Sequence, residues 1–109
     1  MTATEDMIAR TWGATATSAG ARQYQRYFAD TLLPQLRKRP GFAGGCLLSR
    51  ELDGAVELTA HTFWTSDAAI RAFAGDDITV SVVEPEAQAV LLDFDRTATH
   101  RTVLTDSRS

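Results

Sequence analysis

Apolar positions along this chain change period several times, and each change marks an element. Asp6–Thr15 is rich in β-branched, aromatic and small residues, which predicts a first strand. Thr17 or Ser18 follows. Either suits a helix cap, because a short side chain can accept from a first-turn N–H. Tyr24, Tyr27, Phe28, Thr31, Leu32 and Leu36 then recur at helical spacing. Pro34 sits inside that run. It lacks an N–H and crowds the preceding turn, so a kink or a split last turn is expected. Arg37-Lys38-Arg39 suits the negative end of the helix dipole and reads as a solvated helix end.

Phe42–Glu51 predicts a second strand and Val56–Trp64 a third. Asp53-Gly54 between them is a hairpin-turn signal. Along the third strand, Val56, Leu58, Ala60 and Thr62 share one face, and Thr59, His61 and Phe63 the other. Ser66–Ala74 predicts a second helix with Ile70 and Phe73 on its buried side and Gly75 as its stop. Asp76–Glu84 is ambiguous and reads as a short turn of helix, with a second turn opened by Pro85 at a first-helical position. Leu91–Leu104 predicts the last strand.

The resulting order, β-α-β-β-α-β, is that of an α+β ferredoxin-like domain with an antiparallel four-stranded sheet and both helices on one face. It spans residues 6–104. Met1–Glu5 reads as a frayed end and Thr105–Ser109 as a polar tail. Neither face of the third strand is purely polar, so the helix-free face of the sheet needs a cover. A second copy of the sheet is the simplest one, which implies a homodimer.

Composition narrows the partners. The chain has 109 residues, 44% of them apolar, enough for one domain with a core. A net charge of −3 leaves no basic footprint for nucleic acid. No apolar run approaches the ~20 residues of a membrane helix, and no signal peptide is seen. Cys46 is the only cysteine, so no intrachain disulfide forms and a reducing, cytoplasmic location is expected. It reads as an inert buried thiol. Metal ligation is not legible: two histidines without paired Cys or Glu spacing make no zinc site, and Asp76-Asp77 and Asp93/Asp95 lack a calcium-loop spacing. Gly41, Gly44 and Gly45 precede a strand, so they are not a phosphate loop. No cofactor or metal is expected.

Leu36–Pro40-Gly41-Phe42, the hairpin with Leu47-Leu48-Ser49-Arg50, Phe63-Trp64-Thr65-Ser66 and Ala68–Ala74 together resemble the antibiotic biosynthesis monooxygenase family of dimeric α+β barrels. The resemblance runs from Met7 to about Leu104. It implies a homodimer with a pocket between sheet and helices in each subunit. It also implies oxidation of polyphenolic, polyketide-like aromatic substrates to quinones by molecular oxygen, without metal or flavin. Haem degradation, another activity of the family, is not implied. Phe73 stands where that route expects a tryptophan on the second helix, and Asp76–Ala89 holds no histidine.

Candidate residues follow from both readings. His61 and His100 are the only histidines, and a histidine can take a phenolic proton near neutral pH. Each also reads as a hydrogen-bonded structural residue. Arg10 and Trp12 share a face of the first strand; a buried-facing Arg10 would need an anionic partner, either a protein carboxylate or a substrate phenolate. Arg10 departs from the asparagine that the family's oxygenases tend to carry about there. The catalytic candidates are thus His61, His100 and Arg10. Trp64 and Trp12 read either as core or as rigid walls for a planar substrate, and the resemblance favours a wall for Trp64. Tyr24, Tyr27 and Phe73 complete the substrate-contacting set, although they also read as core-edge or packing residues. His61 and Trp64 lie three apart, so in a regular strand they face opposite sides, and only a bulge or end twist would bring them to one pocket. A polyketide cyclase or isomerase, or a non-catalytic binding dimer, are the alternative functions.

Overall fold

The computed structural model describes residues 7–107. Strand β1 (Ile8–Ala16) passes through Thr17 into helix α1 (Ser18–Tyr27). Gly20 N donates to Thr17 Oγ1 at 2.9 Å, satisfying one of the donors that a helix start leaves open. A Cβ on Gly20 would fall 2.3 Å from the Val90 carbonyl oxygen, so glycine is what lets α1 approach that later segment.

The helical run then widens. Phe28–Leu32 forms a π-helical turn before α2 (Leu33–Arg37), and Leu33 N donates to Phe28 O. Pro34 accounts for this. Its missing N–H and bulky ring disrupt the ordinary ladder, and one wide turn absorbs both. The kink expected at Pro34 is therefore spread over the turn that precedes it.

Strands β2 (Phe42–Leu52) and β3 (Ala55–Trp64) form a hairpin in which Leu52 pairs with Ala55. Asp53 and Gly54 have φ of 30° and 84°, the left-handed pair that a two-residue turn requires. Helix α3 (Asp67–Ala74) is capped by Ser66 Oγ, which accepts from Ala69 N at 3.1 Å. Helix α4 (Pro85–Gln88) begins at Pro85. Strands β4 (Asp93–Phe94) and β5 (Thr99–Thr102) follow. The sheet runs β2-β3-β1-β4, with β5 also on β1, and the pairings are antiparallel. The ferredoxin-like α+β reading holds.

One expectation is corrected and one is narrowed. Leu91–Leu104 is not one strand. Ala14 faces Phe94 whereas Arg10 faces His100, so the register on β1 slips by two residues between β4 and β5. Asp95 holds the break, donating from its N to Gly13 O at 2.8 Å and accepting from Gly13 N on its carboxylate at 3.1 Å. The short turn of helix expected in Asp76–Glu84 is a single hydrogen-bonded turn, Val80 N donating to Asp77 O at 3.2 Å, and no helix forms before Pro85. The Asp77 carboxylate takes the N and Oγ1 donors of Thr79 at 3.1 and 2.6 Å, a local arrangement that competes with helix. Around that turn, residues 75–84 form an irregular strap with one isolated β-bridge, Val80 to Thr97. It docks on the bulged residues 95–98: Ser81 N donates to Arg96 O at 3.0 Å and Ala98 N to Thr79 O at 2.8 Å.

The core lies on one face of the sheet. Leu58, Ala60 and Trp64 of β3 and Ala14 and Ala16 of β1 are buried beneath Tyr24, Phe28, Leu36 and Ile70. By alternation the opposite face carries Thr11, Thr15, Cys46, Leu48, Thr59, His61 and Phe63. Leu48 is 48% exposed there.

Candidate active-site cavity

The sequence that builds β1 alternates, and its inward positions decide the site. Arg10 and Trp12 face the helices. Between them and the helical layer lies an interior cavity of about 50 Å³. Arg10, Trp12, Tyr24 and Phe73 line it with Phe28, Thr62, Ser81 and Val82, and it is partly open to solvent beside the exposed Val82.

Arg10 is only 5% exposed. Its Nη1 donates to Ile78 O, its Nη2 donates to Val80 O at 3.0 Å, and its Nη1 also lies 3.0 Å from His100 Nε2. An arginine has only donors, so His100 Nε2 accepts and that imidazole is neutral. Burial lowers the Arg10 pKa, but a guanidinium starts high enough to stay charged near neutral pH. The anionic partner expected for a buried Arg10 is not a protein carboxylate: two strap carbonyls and an imidazole stand in its place, and none of the described residues forms an ion pair with it. Its charge is solvated by dipoles but not neutralised. The guanidinium carbon also sits 5.7 Å from the centre of the Phe73 ring.

His100 faces Arg10 because the two are register partners across β1 and β5. Burial first, and then the Arg10 charge, push the His100 pKa down, while Asp67 pulls it up. His100 stands behind Arg10 and touches the cavity through it. His61 is elsewhere. It lies on the helix-free face, where Nδ1 is 2.9 Å from Thr11 Oγ1. The only register shift between β2 and β3 falls at Phe42/Gly44, so nothing turns His61 toward the cavity.

Trp64 is fully buried, with its Nε1 donating to Thr62 Oγ1 at 2.9 Å. Phe73 stacks on it at 5.5 Å, and it is Phe73 that borders the cavity. Trp12 does border the cavity and is fixed by Nε1 donating to Asp95 O at 2.9 Å. The Tyr24 ring lies 5.9 Å from Trp12 and 5.6 Å from Tyr27. Burial, then Tyr27, pushes the Tyr24 pKa upward, so it stays a neutral phenol. Tyr27 is also pushed up, by burial and then by Glu84 and Glu86, but it is not a cavity residue.

Sequence reasoning missed several cavity residues, among them Phe28, Thr62, Ser81 and Val82. Phe28 and Thr62 carried a signal, since both fall on the inward faces read from periodicity. Ser81 and Val82 carried none, because the strap reaches the cavity only through the bulge at residues 95–98. A second concavity, of about 490 Å³, opens between α1 and the β2–β3 hairpin, over Ala21, Gln25, Phe28, Leu47, Val56 and Leu58. Among the described residues, no cluster of three or more His, Cys, Asp or Glu side chains could hold a metal ion. No helix among them is long and apolar enough to cross a membrane.

Comparison with known proteins gives no family model that matches the chain and no curated protein that matches it. Solved structures do match. SnoaB, a cofactor-independent oxygenase from Streptomyces nogalater, aligns with 26% identity over 95% of this chain and 96% of its own, with a TM-score of 0.55. A variant of SnoaB aligns with 21% identity over 95% and 99%, with a TM-score of 0.64. A protein from Caulobacter crescentus, provisionally assigned as an antibiotic biosynthesis monooxygenase, aligns with 13% identity over 94% and 93%, with a TM-score of 0.67. The chain thus carries, over most of its length, the fold of the antibiotic biosynthesis monooxygenases.

Proposed function

We propose that this protein is a cofactor-independent monooxygenase that oxidises a phenolic or enolic aromatic substrate to a quinone with molecular oxygen. The observation that carries this reading is Arg10: a guanidinium on the wall of an interior cavity, without a carboxylate partner and in contact with a neutral imidazole. Such a site favours an anion that forms inside it.

In this reading the substrate hydroxyl takes the Arg10 Nη1 hydrogen bond, and His100 Nε2, which lies behind Arg10 and does not itself line the cavity, receives the phenolic proton through one bridging water. Arg10 then holds the oxyanion. The electron-rich anion gives one electron to oxygen, and the resulting radical pair recombines at ring carbon as a hydroperoxide. Loss of water leaves the quinone, so each substrate consumes one oxygen molecule and releases one water. Trp12 and Phe73 hold the ring plane and keep water out. The likeness to SnoaB, a cofactor-independent oxygenase, supports the oxygenase reading, and oxygen uptake separates it from a cyclase or isomerase using the same anion on the same fold.

The helix-free face supports a homodimer in which two sheets cover each other. Leu48 is exposed there, on the same face as Cys46 and Phe63, apolar positions that a second sheet would bury.

An oxygen electrode with a dihydroxynaphthalene tests the function. Uptake of one oxygen per quinone formed is expected, falling about 10²–10⁴-fold in His100→Ala, the usual yield of a general base. Consumption of substrate without oxygen uptake would replace the oxygenase with a cyclase or isomerase.

A further inference from the structure

The interior cavity is too small for the chemistry assigned to it. Ligand pockets usually run to about 300–1,000 Å³, and this one measures about 50 Å³. The outer groove between α1 and the hairpin measures about 490 Å³. A single side chain, Phe28, belongs to the walls of both.

We propose that Phe28 is a gate: a planar ligand enters through the outer groove, displaces the Phe28 ring, and then spans both spaces with its hydroxyl at Arg10. This rests on the assignment of Arg10 as the anion site.

The alternative way in is past the strap, and the two routes differ in what must break. On the strap side, Ser81 and Val82 cover the cavity. That segment is held by Ser81 N to Arg96 O, Ala98 N to Thr79 O, Ser81 Oγ to Asp95 O at 2.8 Å, Gln88 Nε2 to Val83 O at 2.8 Å, and the two Arg10 bonds. Opening it strips hydrogen bonds from backbone groups and from the buried guanidinium. On the groove side, the barrier is one phenyl ring without a polar atom. Swinging it aside breaks no hydrogen bond; it needs a rotamer change and gives up the packing of a core ring that is buried in the closed state.

Its backbone setting favours that change. Phe28 opens the π-helical turn, where the widened ladder has already replaced regular helix packing. Tyr24, one turn earlier, lies 6.3 Å from the Phe28 ring and belongs to the inner cavity alone. The floor that continues from Leu58 in the groove to Ala60 in the cavity is one face of β3, so a flat ligand meets no step along it.

The test uses 7-hydroxycoumarin, a planar phenol whose fluorescence excitation distinguishes phenol from phenolate, mixed with the folded protein by stopped flow. If the gate is closed at least nine-tenths of the time, Phe28→Ala should speed association about tenfold or more, and Phe28→Trp should slow it. Phe28→Leu serves if the alanine variant does not fold. Asp77→Ala and Gln88→Ala, which loosen the strap, should leave the rate unchanged. Arg10→Gln should abolish the phenolate signal while entry still responds to Phe28. Wild-type rates in the Phe28 variants, or faster entry in the strap variants, would overturn the gate. So would failure of the probe to bind both the wild type and Phe28→Ala. Gate-dependent entry without any phenolate signal, even in the wild type, would leave the gate standing and remove the role given to Arg10.

Discussion

The two faces of the sheet carry one histidine each, and the contrast between them explains the site. His100 on the covered face accepts from Arg10, a charge sealed under the strap. His61 on the helix-free face pairs with the Thr11 hydroxyl, a neutral partner, and does not border the Arg10 cavity. The residue type is the same on both faces. What differs is the company: on the covered face a cation without a carboxylate counterpart makes an anion welcome, and on the open face nothing does.

Substitutions should obey that asymmetry. The largest effect belongs to Trp64, the fully buried residue beneath Phe73. Trp64→Ala should cost about 3–5 kcal/mol of stability in a urea titration, as removal of large buried aromatics does. A loss under about 1 kcal/mol would mean that Trp64 is a displaceable wall and not the support for Phe73.

Arg10→Ala comes next. It strands the carbonyls of Ile78 and Val80, so a cost of about 1–3 kcal/mol is expected. Hydrogen exchange should rise at Ser81 and Ala98, whose amides tie the strap down. An unchanged strap would show that the bulge alone holds it.

The pH dependence is smaller and has a definite sign. The folded-state His100 pKa lies below its ordinary value, through burial and then Arg10. Its contribution to stability is therefore fully present above the ordinary histidine pKa of about 6.5 and is lost as pH falls through the folded value. Arg10→Gln should move the His100 pKa upward in an NMR titration, because one of its two depressing causes is gone. A further fall would contradict the contact.

Least affected should be Leu48→Asp on the helix-free face. It should leave the folded chain intact, within about 0.5 kcal/mol in the monomer as for surface substitutions generally, and should turn a dimer into a monomer on gel filtration. A wild-type elution volume that already corresponds to one chain would remove the dimer.

How much of this was legible in the sequence varies with the distance over which each feature is decided. Local rules placed the hairpin at Asp53-Gly54, a cap at Thr17 or Ser18, and Arg10 and Trp12 on one face of the first strand. The same alternation set His61 and Trp64 on opposite faces, and β3 stays regular enough to keep them there. Periodicity also found the stretch around Pro34, but a π-helical turn and a kink look alike in a hydrophobic pattern. The last strand was misread because its break is made by Asp95 against Gly13, a contact across the sheet. The strap was illegible for the same reason: its partners are the bulged residues and Arg10, about 70 residues away in sequence. The site residues that depend on it, Ser81 and Val82, could not be found before that bulge was known. Trp64 shows a different limit. A tryptophan at a strand end can be wall or core, and only the position of Phe73 separates the two.

The central claim is that the covered face, with Arg10 and His100, is where chemistry occurs. The most direct measurement is oxygen uptake with a dihydroxynaphthalene by His100→Ala and His61→Ala, both shown to be folded. His100→Ala should lose about 10²–10⁴-fold in turnover, and His61→Ala should stay within about twofold of the wild type, as expected of a residue outside the reacting set. Full turnover in His100→Ala with loss in His61→Ala would move the reaction to the other side of the sheet and contradict the account.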